Sequence, residues 1–326
     1  MALSSNFWTG LPKPFFVLAP LANVTDVAFR CVIAKYSKPA GPSVFWTEFV
    51  SADGLVLANE EGKNKLMRDL IYSEAERPIV AQFFTAIPGH MEKAAALAQE
   101  LGFDGVDINM GCPDKTIEKQ GAGAKLIMNS RLAQELIAAA KRGAPNLPVS
   151  VKTRLGYNKD ILEEWLPKLL EAKPAAITLH ARTRKEMSKV AAHWDRVKRA
   201  VEIRNEFRSE TLIIGNGDVV DLEDAKKKVQ ESGADGIMLG RAIFGKPWLF
   251  AAAADIPLEK RLRVAIEHTK LFEELLGDIK NVAIMKKHFK AYVEGFDGAK
   301  DLRVQLMDAK NADEIESLIE NFLKAR

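Results

Sequence analysis

Cysteine is nearly missing from this chain: Cys31 and Cys112 are the only two in 326 residues. Two unpatterned thiols exclude a disulfide framework and point to a reducing compartment, so the expected location is cytoplasmic. No apolar run approaches the length that spans a bilayer. The first residues, Met1 to Phe7, lack the basic start and apolar stretch of a secretory signal. The five histidines show no metal-ligand spacing, so no metal is expected. A net charge of +3 is too small to argue by itself for nucleic acid. No GxGxxG follows the first strand-like run, which weakens a doubly wound dinucleotide fold.

What is present is an alternation. Short β-rich apolar runs occur at Phe15–Ala19, Ser43–Thr47, Ile79–Phe83, Gly105–Asn109, Val149–Thr153, Ala176–His180, Leu212–Gly215 and Gly236–Gly240. Helical patterns such as Met91–Leu101, Arg131–Lys141 and Leu222–Ser232 lie between them. Roughly eight such repeats predict a parallel sheet closed into a (β/α)8 TIM barrel. After Phe250 the apolar spacing is helical only, through Val264, Leu271, Leu275, Phe289, Leu302, Ile315 and Phe322. The expected organisation is therefore an α/β barrel over 1–253 followed by a small C-terminal helical bundle over 257–326.

In such a barrel, chemistry belongs at the carboxyl ends of the strands. Cys112 stands just past one of them, in Asp107-Ile108-Asn109-Met110-Gly111-Cys112-Pro113, with Gly121-Ala122-Gly123 following. A thiol there serves as nucleophile or proton donor, and its pKa decides which. The alternative, a small buried hydrophobe, suits Cys31 in its apolar helical stripe better. Lys152 and Arg154 end another strand on one side of it, where an inward pair of cations needs an anionic or electron-rich partner. His180 closes a third strand and is followed by Arg182 and Arg184. Glycine turns at Asn216-Gly217-Asp218 and Gly240-Arg241 follow two late strands, the usual phosphate position of these barrels. Asp26 has a plain reading as an acid complementing a helix dipole. The stretch Arg182 to Arg208 holds nine Lys or Arg against four Asp or Glu, a stripe that could track phosphates or form a solvated helix face.

The motifs APLANVTD (19–26), DINMGCP (107–113), GAGAKL (121–126), VKTRLG (151–156), LHARTR (179–184), GNGD (215–218) and LGRAIFGKPW (239–248) occur in one order. Together they resemble the tRNA-dihydrouridine synthase family over nearly the whole chain. That resemblance implies FMN as cofactor, with Ala19, Pro20, Leu21, Gln82, Lys152, His180, Asn216, Gly217, Asp218, Gly240 and Arg241 around it. NADPH or NADH is the implied reductant and tRNA the implied partner, bound with help from the helical tail around Lys286, Lys287 and Lys290. Cys112 is the implied acid, delivering a proton to C5 of a uracil that receives hydride at C6. Asn109, Lys152, Arg154 and Arg182 are the implied substrate contacts, and Arg184 a further one. The loop Gly111–Gly123 is expected to move to bring Cys112 in. Leu21 and Asn23 replace a commoner Met and Gly, and Glu186–Val190 departs from a Gln-Met-Tyr-x-Gly pattern. A monomer is expected. Two other functions fit parts of the pattern: an FMN barrel reducing a free pyrimidine or similar small molecule, and a tRNA-binding protein without catalysis.

Overall fold

The computed structural model describes residues 6–251 and 256–326. Eight parallel strands form one sheet: β1 (Phe15–Leu18), β2 (Phe45–Ser51), β3 (Ile79–Phe84), β4 (Gly105–Met110), β5 (Val149–Arg154), β6 (Ala176–His180), β7 (Leu212–Asn216) and β8 (Gly236–Leu239). Ladder pairing runs β1-β8-β7-β6-β5-β4-β3-β2. The junction between β1 and β2 is closed by two backbone bonds, Ser43 N to Phe16 O (2.8 Å) and Leu18 N to Val44 O (3.4 Å). The result is an α/β barrel of the TIM type with a helical bundle after it.

Alternation along each strand sorts the side chains. On β4, Val106, Ile108 and Met110 pack outward with the helices Pro88–Glu100 and Ser130–Gly143, while Asp107 and Asn109 face the interior. The register sets Gln82 opposite Asp107, Asp107 opposite Ser150, and Asn109 opposite Lys152. An apolar cluster of Trp8, Phe15, Val17, Trp46, Val80, Leu212 and Ile214 fills the lower barrel. Burying several aromatics there contributes roughly 2–3 kcal/mol each by area removed from water.

β2 runs Phe45–Ser51 rather than Ser43–Thr47. Phe49 and Val50 extend the strand beyond an irregularity between Trp46 and Phe49, and Glu48 lies in that irregularity. Asp26 caps the helix Val27–Ser37 by accepting from Phe29 N at 3.0 Å. This is the plain reading of that residue.

The bundle consists mainly of helices Leu258–Leu276, Lys286–Tyr292, Ala299–Asp308 and Ala312–Lys324. Its core is not its own. Val27, Ala28 and Val32 of the first barrel helix, and Trp248, join Leu262, Phe272, Phe289 and Ile315 in one cluster. Cys31 packs at the edge of that cluster, half-buried. Lys280 of the bundle adds a polar tie, with Glu48 at 2.9 Å and Asp69 at 2.6 Å. The boundary expected at residue 253 lies outside the described residues.

Candidate active site

A cavity of about 890 Å³ opens at the carboxyl ends of the strands. Every residue proposed above for cofactor or substrate except Arg184 lines it: Ala19, Pro20 and Leu21 after β1; Gln82 on β3; Asn109 and Cys112 at the end of β4; Lys152 and Arg154 on β5. His180 and Arg182 at the end of β6, Asn216, Gly217 and Asp218 at β7, and Gly240 and Arg241 at β8 complete the wall. Phe49, Met187, Ser188 and Val220 also line it. These carried no chemical signal in the sequence, since a lone apolar or hydroxyl side chain on a loop has none.

Cys112 is tightly framed. Asn109 Oδ1 accepts from Gly111 N at 3.1 Å and Cys112 N at 2.9 Å. Arg154 Nε donates to Gly111 O at 2.7 Å, and Ala124 N donates to Cys112 O at 2.9 Å. Gly123 has φ +60°, and a Cβ there would lie 2.7 Å from Cys112 O, so this position requires glycine. Asp114 caps the following short helix through Thr116 N. Arg184 pairs with Glu118 of that helix and stacks on Tyr157. It braces the cysteine loop and is absent from the cavity wall. The loop expected to swing is thus fastened at both ends in this conformation.

The electrostatics separate acid from base. Burial pushes the Cys112 thiol above its ordinary value; the Asp114 N–H and the charges of Lys152 and Arg154 oppose this without reversing it. The thiol is therefore protonated at neutral pH, which suits a proton donor better than a nucleophile. Burial, then repulsion from Arg154, lowers Lys152 to about 8. Its Nζ has one side-chain hydrogen bond, to Asn216 Oδ1 at 3.3 Å. Burial and the surrounding cations lower His180 to about 2, so its imidazole is neutral. Its Nε2 lies 3.3 Å from Arg182 Nη1, and because a guanidinium only donates, Nε2 is the acceptor.

Arg182 has little left to offer a substrate. Its Nε donates to Val190 O at 2.7 Å, its Nη2 to Asp218, and its Nη1 to His180. Its work here is to pin the Glu186–Val190 segment against the cavity wall. Arg241 also reaches Asp218, at 2.8 Å, yet is mostly exposed at the rim. The basic stripe of the sequence is largely neutralised in space: Arg196 pairs with Asp160 and Glu163, Arg199 with Glu206, and Arg204 with Asp235. The pairs with Asp160, Glu163 and Asp235 lie outside the stripe and were invisible in its linear charge count.

The donor set fits a flavin mononucleotide. The volume lies within the usual range for such ligands. Among the described residues, Lys152, Arg154, Arg182 and Arg241 outnumber the single carboxylate of Asp218 on the wall, as a phosphate and an electron-accepting ring require. Gly217, at φ +131°, leaves room that a Cβ would lose to Ala192 and His180.

The family model described as Dihydrouridine synthase (Dus) matches residues 17–326. The protein named "Probable tRNA-dihydrouridine synthase 2" of Bacillus subtilis (strain 168) is 40% identical over 323 residues, covering 98% of this chain and 97% of that protein. A "Probable tRNA-dihydrouridine synthase" of Staphylococcus aureus (strain COL) is 38% identical, covering 98% and 96%. Among solved structures, histamine dehydrogenase from Rhizobium sp. 4-9 superposes with a TM-score of 0.52 at 12% identity, over 79% of this chain and 48% of that one. A 2-naphthoyl-CoA reductase complex gives 0.54 at 11% identity, over 73% and 49%. These two likenesses concern the barrel fold alone.

Proposed function

Because the chain belongs to the dihydrouridine synthase family of oxidoreductases, we propose that it reduces the C5–C6 double bond of uridines in tRNA, with FMN in the cavity and NAD(P)H as reductant. The observation that carries this reading is the place of Cys112 on the wall of a cationic cavity at the mouth of the barrel, where burial pushes its thiol above the ordinary value. Ala19, Pro20, Leu21, Gln82, Lys152, His180, Asn216, Gly217, Asp218, Gly240 and Arg241 are the residues that would hold FMN. The flavin, when bound, supplies the hydride.

The protein supplies position, charge and the proton. A uracil stacked in tRNA is out of reach of a buried site, so the base is extruded into the cavity. Cys112 Sγ gives its proton to C5. Lys152 and Arg154 offset the negative charge that develops on the uracil carbonyls before that proton arrives. Neutral His180 adds no further cation to an already positive wall, and Arg182 keeps it oriented. Asn109 holds the cysteine turn and presents its remaining N–H to the base.

The barrel, about residues 1–253, is then the catalytic unit, and the bundle, 257–326, the tRNA-docking unit. Lys286, Lys287 and Lys290 are exposed there and make no ion pair among the described residues, which supports that assignment. NADPH is the proposed donor, and the enzyme acts as a monomer in the cytoplasm, where tRNA and NADPH meet. Among the described residues no helix is long and apolar enough to cross a membrane.

The test is nucleoside analysis after incubating the purified protein with FMN, NADPH and tRNA lacking dihydrouridine. Dihydrouridine is expected in the tRNA, with free uridine left unreduced. Reduction of free uridine and not tRNA would assign a small-molecule reductase instead. Tight tRNA binding without reduction would assign a binding protein.

A further inference from the structure

Asp107 belongs to the same motif as Cys112 yet does not line the cavity; it is fully buried in the barrel interior. Its Oδ1 accepts from Ser150 Oγ at 2.5 Å and its Oδ2 from Gln82 Nε2 at 2.6 Å. Gln82 Oε1 in turn accepts from Asn109 Nδ2 at 3.2 Å, and Asn109 Oδ1 accepts the N–H groups of Gly111 and Cys112. The strand register makes this geometry possible, since Gln82, Asp107 and Ser150 sit side by side on β3, β4 and β5.

The two ends of this chain fix its direction. Backbone N–H groups only donate, so Asn109 must turn its oxygen toward Gly111 and Cys112 and its NH2 toward Gln82. Gln82 must then answer with its oxygen, which leaves its NH2 facing residue 107. A carboxylate accepts and does not donate, so an ionised aspartate is the matching terminus. A buried amide chain of this kind tolerates no flip without leaving a donor against a donor.

We infer that Asp107 is a positioning residue: by fixing the polarity of the Gln82–Asn109 hydrogen-bond chain, it holds the Cys112 turn in place from beneath the cavity. Asn109 is left with a single uncommitted N–H and meets the cavity as a donor only. Resting on the function proposed above, that makes Asn109 a reader of a uracil carbonyl and a poor partner for an exocyclic amino group. Burial raises Asp107 to about 6, with Ser150, Gln82 and Lys152 pulling the other way.

Removing and keeping the acceptor tests the chain. Asp107→Ala leaves Gln82 Nε2 without an acceptor, and Asp107→Asn keeps one. The readout is the rate of Cys112 alkylation by iodoacetamide in the purified full chain, followed by peptide mass spectrometry with Cys31 as the internal reference. Asp107→Ala is expected to raise the Cys112 rate about tenfold. Asp107→Asn is expected to stay within about twofold of the parent. An Asp107→Ala rate equal to the parent, or equal rates in Asp107→Ala and Asp107→Asn, overturn the inference. If Asp107→Ala does not accumulate, Gln82→Leu, which removes the link between Asp107 and Asn109, replaces it, and a Gln82→Leu rate equal to that of Asp107→Asn overturns the inference. Alkylation needs no tRNA turnover, so this failure leaves the dihydrouridine reading untouched.

Discussion

The two ends of the barrel are built on the same strands and behave oppositely. Moving up β6, the inward residues are Ala176, Thr178 and His180; up β7 they are Leu212, Ile214 and Asn216. On β5 they are Ser150, Lys152 and Arg154. Two steps along each strand thus convert packing or neutral polar positions into cavity wall. The lower end is an aromatic plug around Trp8, Phe15 and Trp46. The upper end holds Lys152 and His180, whose charged forms burial disfavours. Stability is concentrated below so that strained electrostatics can be tolerated above.

The largest effect that would sharpen this contrast is at the mouth. Cys112→Ala is expected to cut dihydrouridine formation by at least about a hundredfold, the low end for a lost general acid, with flavin binding and the unfolding midpoint near parental. Cys31→Ala, at the barrel–bundle contact, is expected to leave turnover unchanged. Parallel rate measurements on the two variants check both.

At the plug the expected change is in stability instead. Trp46→Ala removes a fully buried ring and is expected to cost about 4 kcal/mol in urea unfolding. A loss below about 1 kcal/mol would contradict the division of labour between the ends. Lys280→Met tests the tie between bundle and barrel. It strands Glu48 and Asp69, both held by Lys280, and about 2–3 kcal/mol of stability should go with it.

The smallest effect concerns two histidines far from the mouth. His268 and His288 are buried against Phe29, and neither His288 nitrogen has a partner among the described residues. Burial lowers His288 to about 3, with Lys287 adding to it. Above about pH 6.5 both folded and unfolded forms are neutral, and the histidine has no pH-dependent effect. Between about 6.5 and 3 the unfolded chain binds the proton and the folded one does not, so stability falls with pH, by up to about 1.4 kcal/mol per unit. Asp26 and Asp107, both raised to about 6, act in the opposite sense over part of that range. The difference between parent and His288→Leu in denaturant midpoint at pH 7 and pH 5 isolates the imidazole. A gap that does not narrow at pH 5 in favour of the variant would contradict its assignment as buried and neutral.

The barrel was legible because buried strands and amphipathic helices alternate with periods that local sequence records. The motif residues were legible as candidates because polar groups at strand ends break those periods. What sequence did not disclose is who satisfies whom. Arg182 and Arg184 read as substrate contacts, and the fold commits them to Asp218, Val190 O and Glu118. Asn109 read as a substrate contact, and most of its hydrogen-bonding capacity holds the cysteine turn. Asp107 carried no role of its own in the sequence because its partners Gln82 and Ser150 lie 25 and 43 positions away. The bundle read as a separate unit, and its core extends into the first barrel helix. Each of these depends on register between strands or packing between distant helices, which no local pattern encodes.

The most direct test of the central claim is the visible absorption of the protein with FMN, reduced by NADPH without oxygen and then mixed with tRNA lacking dihydrouridine. The expected result is bleaching of the flavin bands by NADPH and their return on adding tRNA. Failure to take up flavin, or bleached bands that tRNA does not restore, would contradict the account.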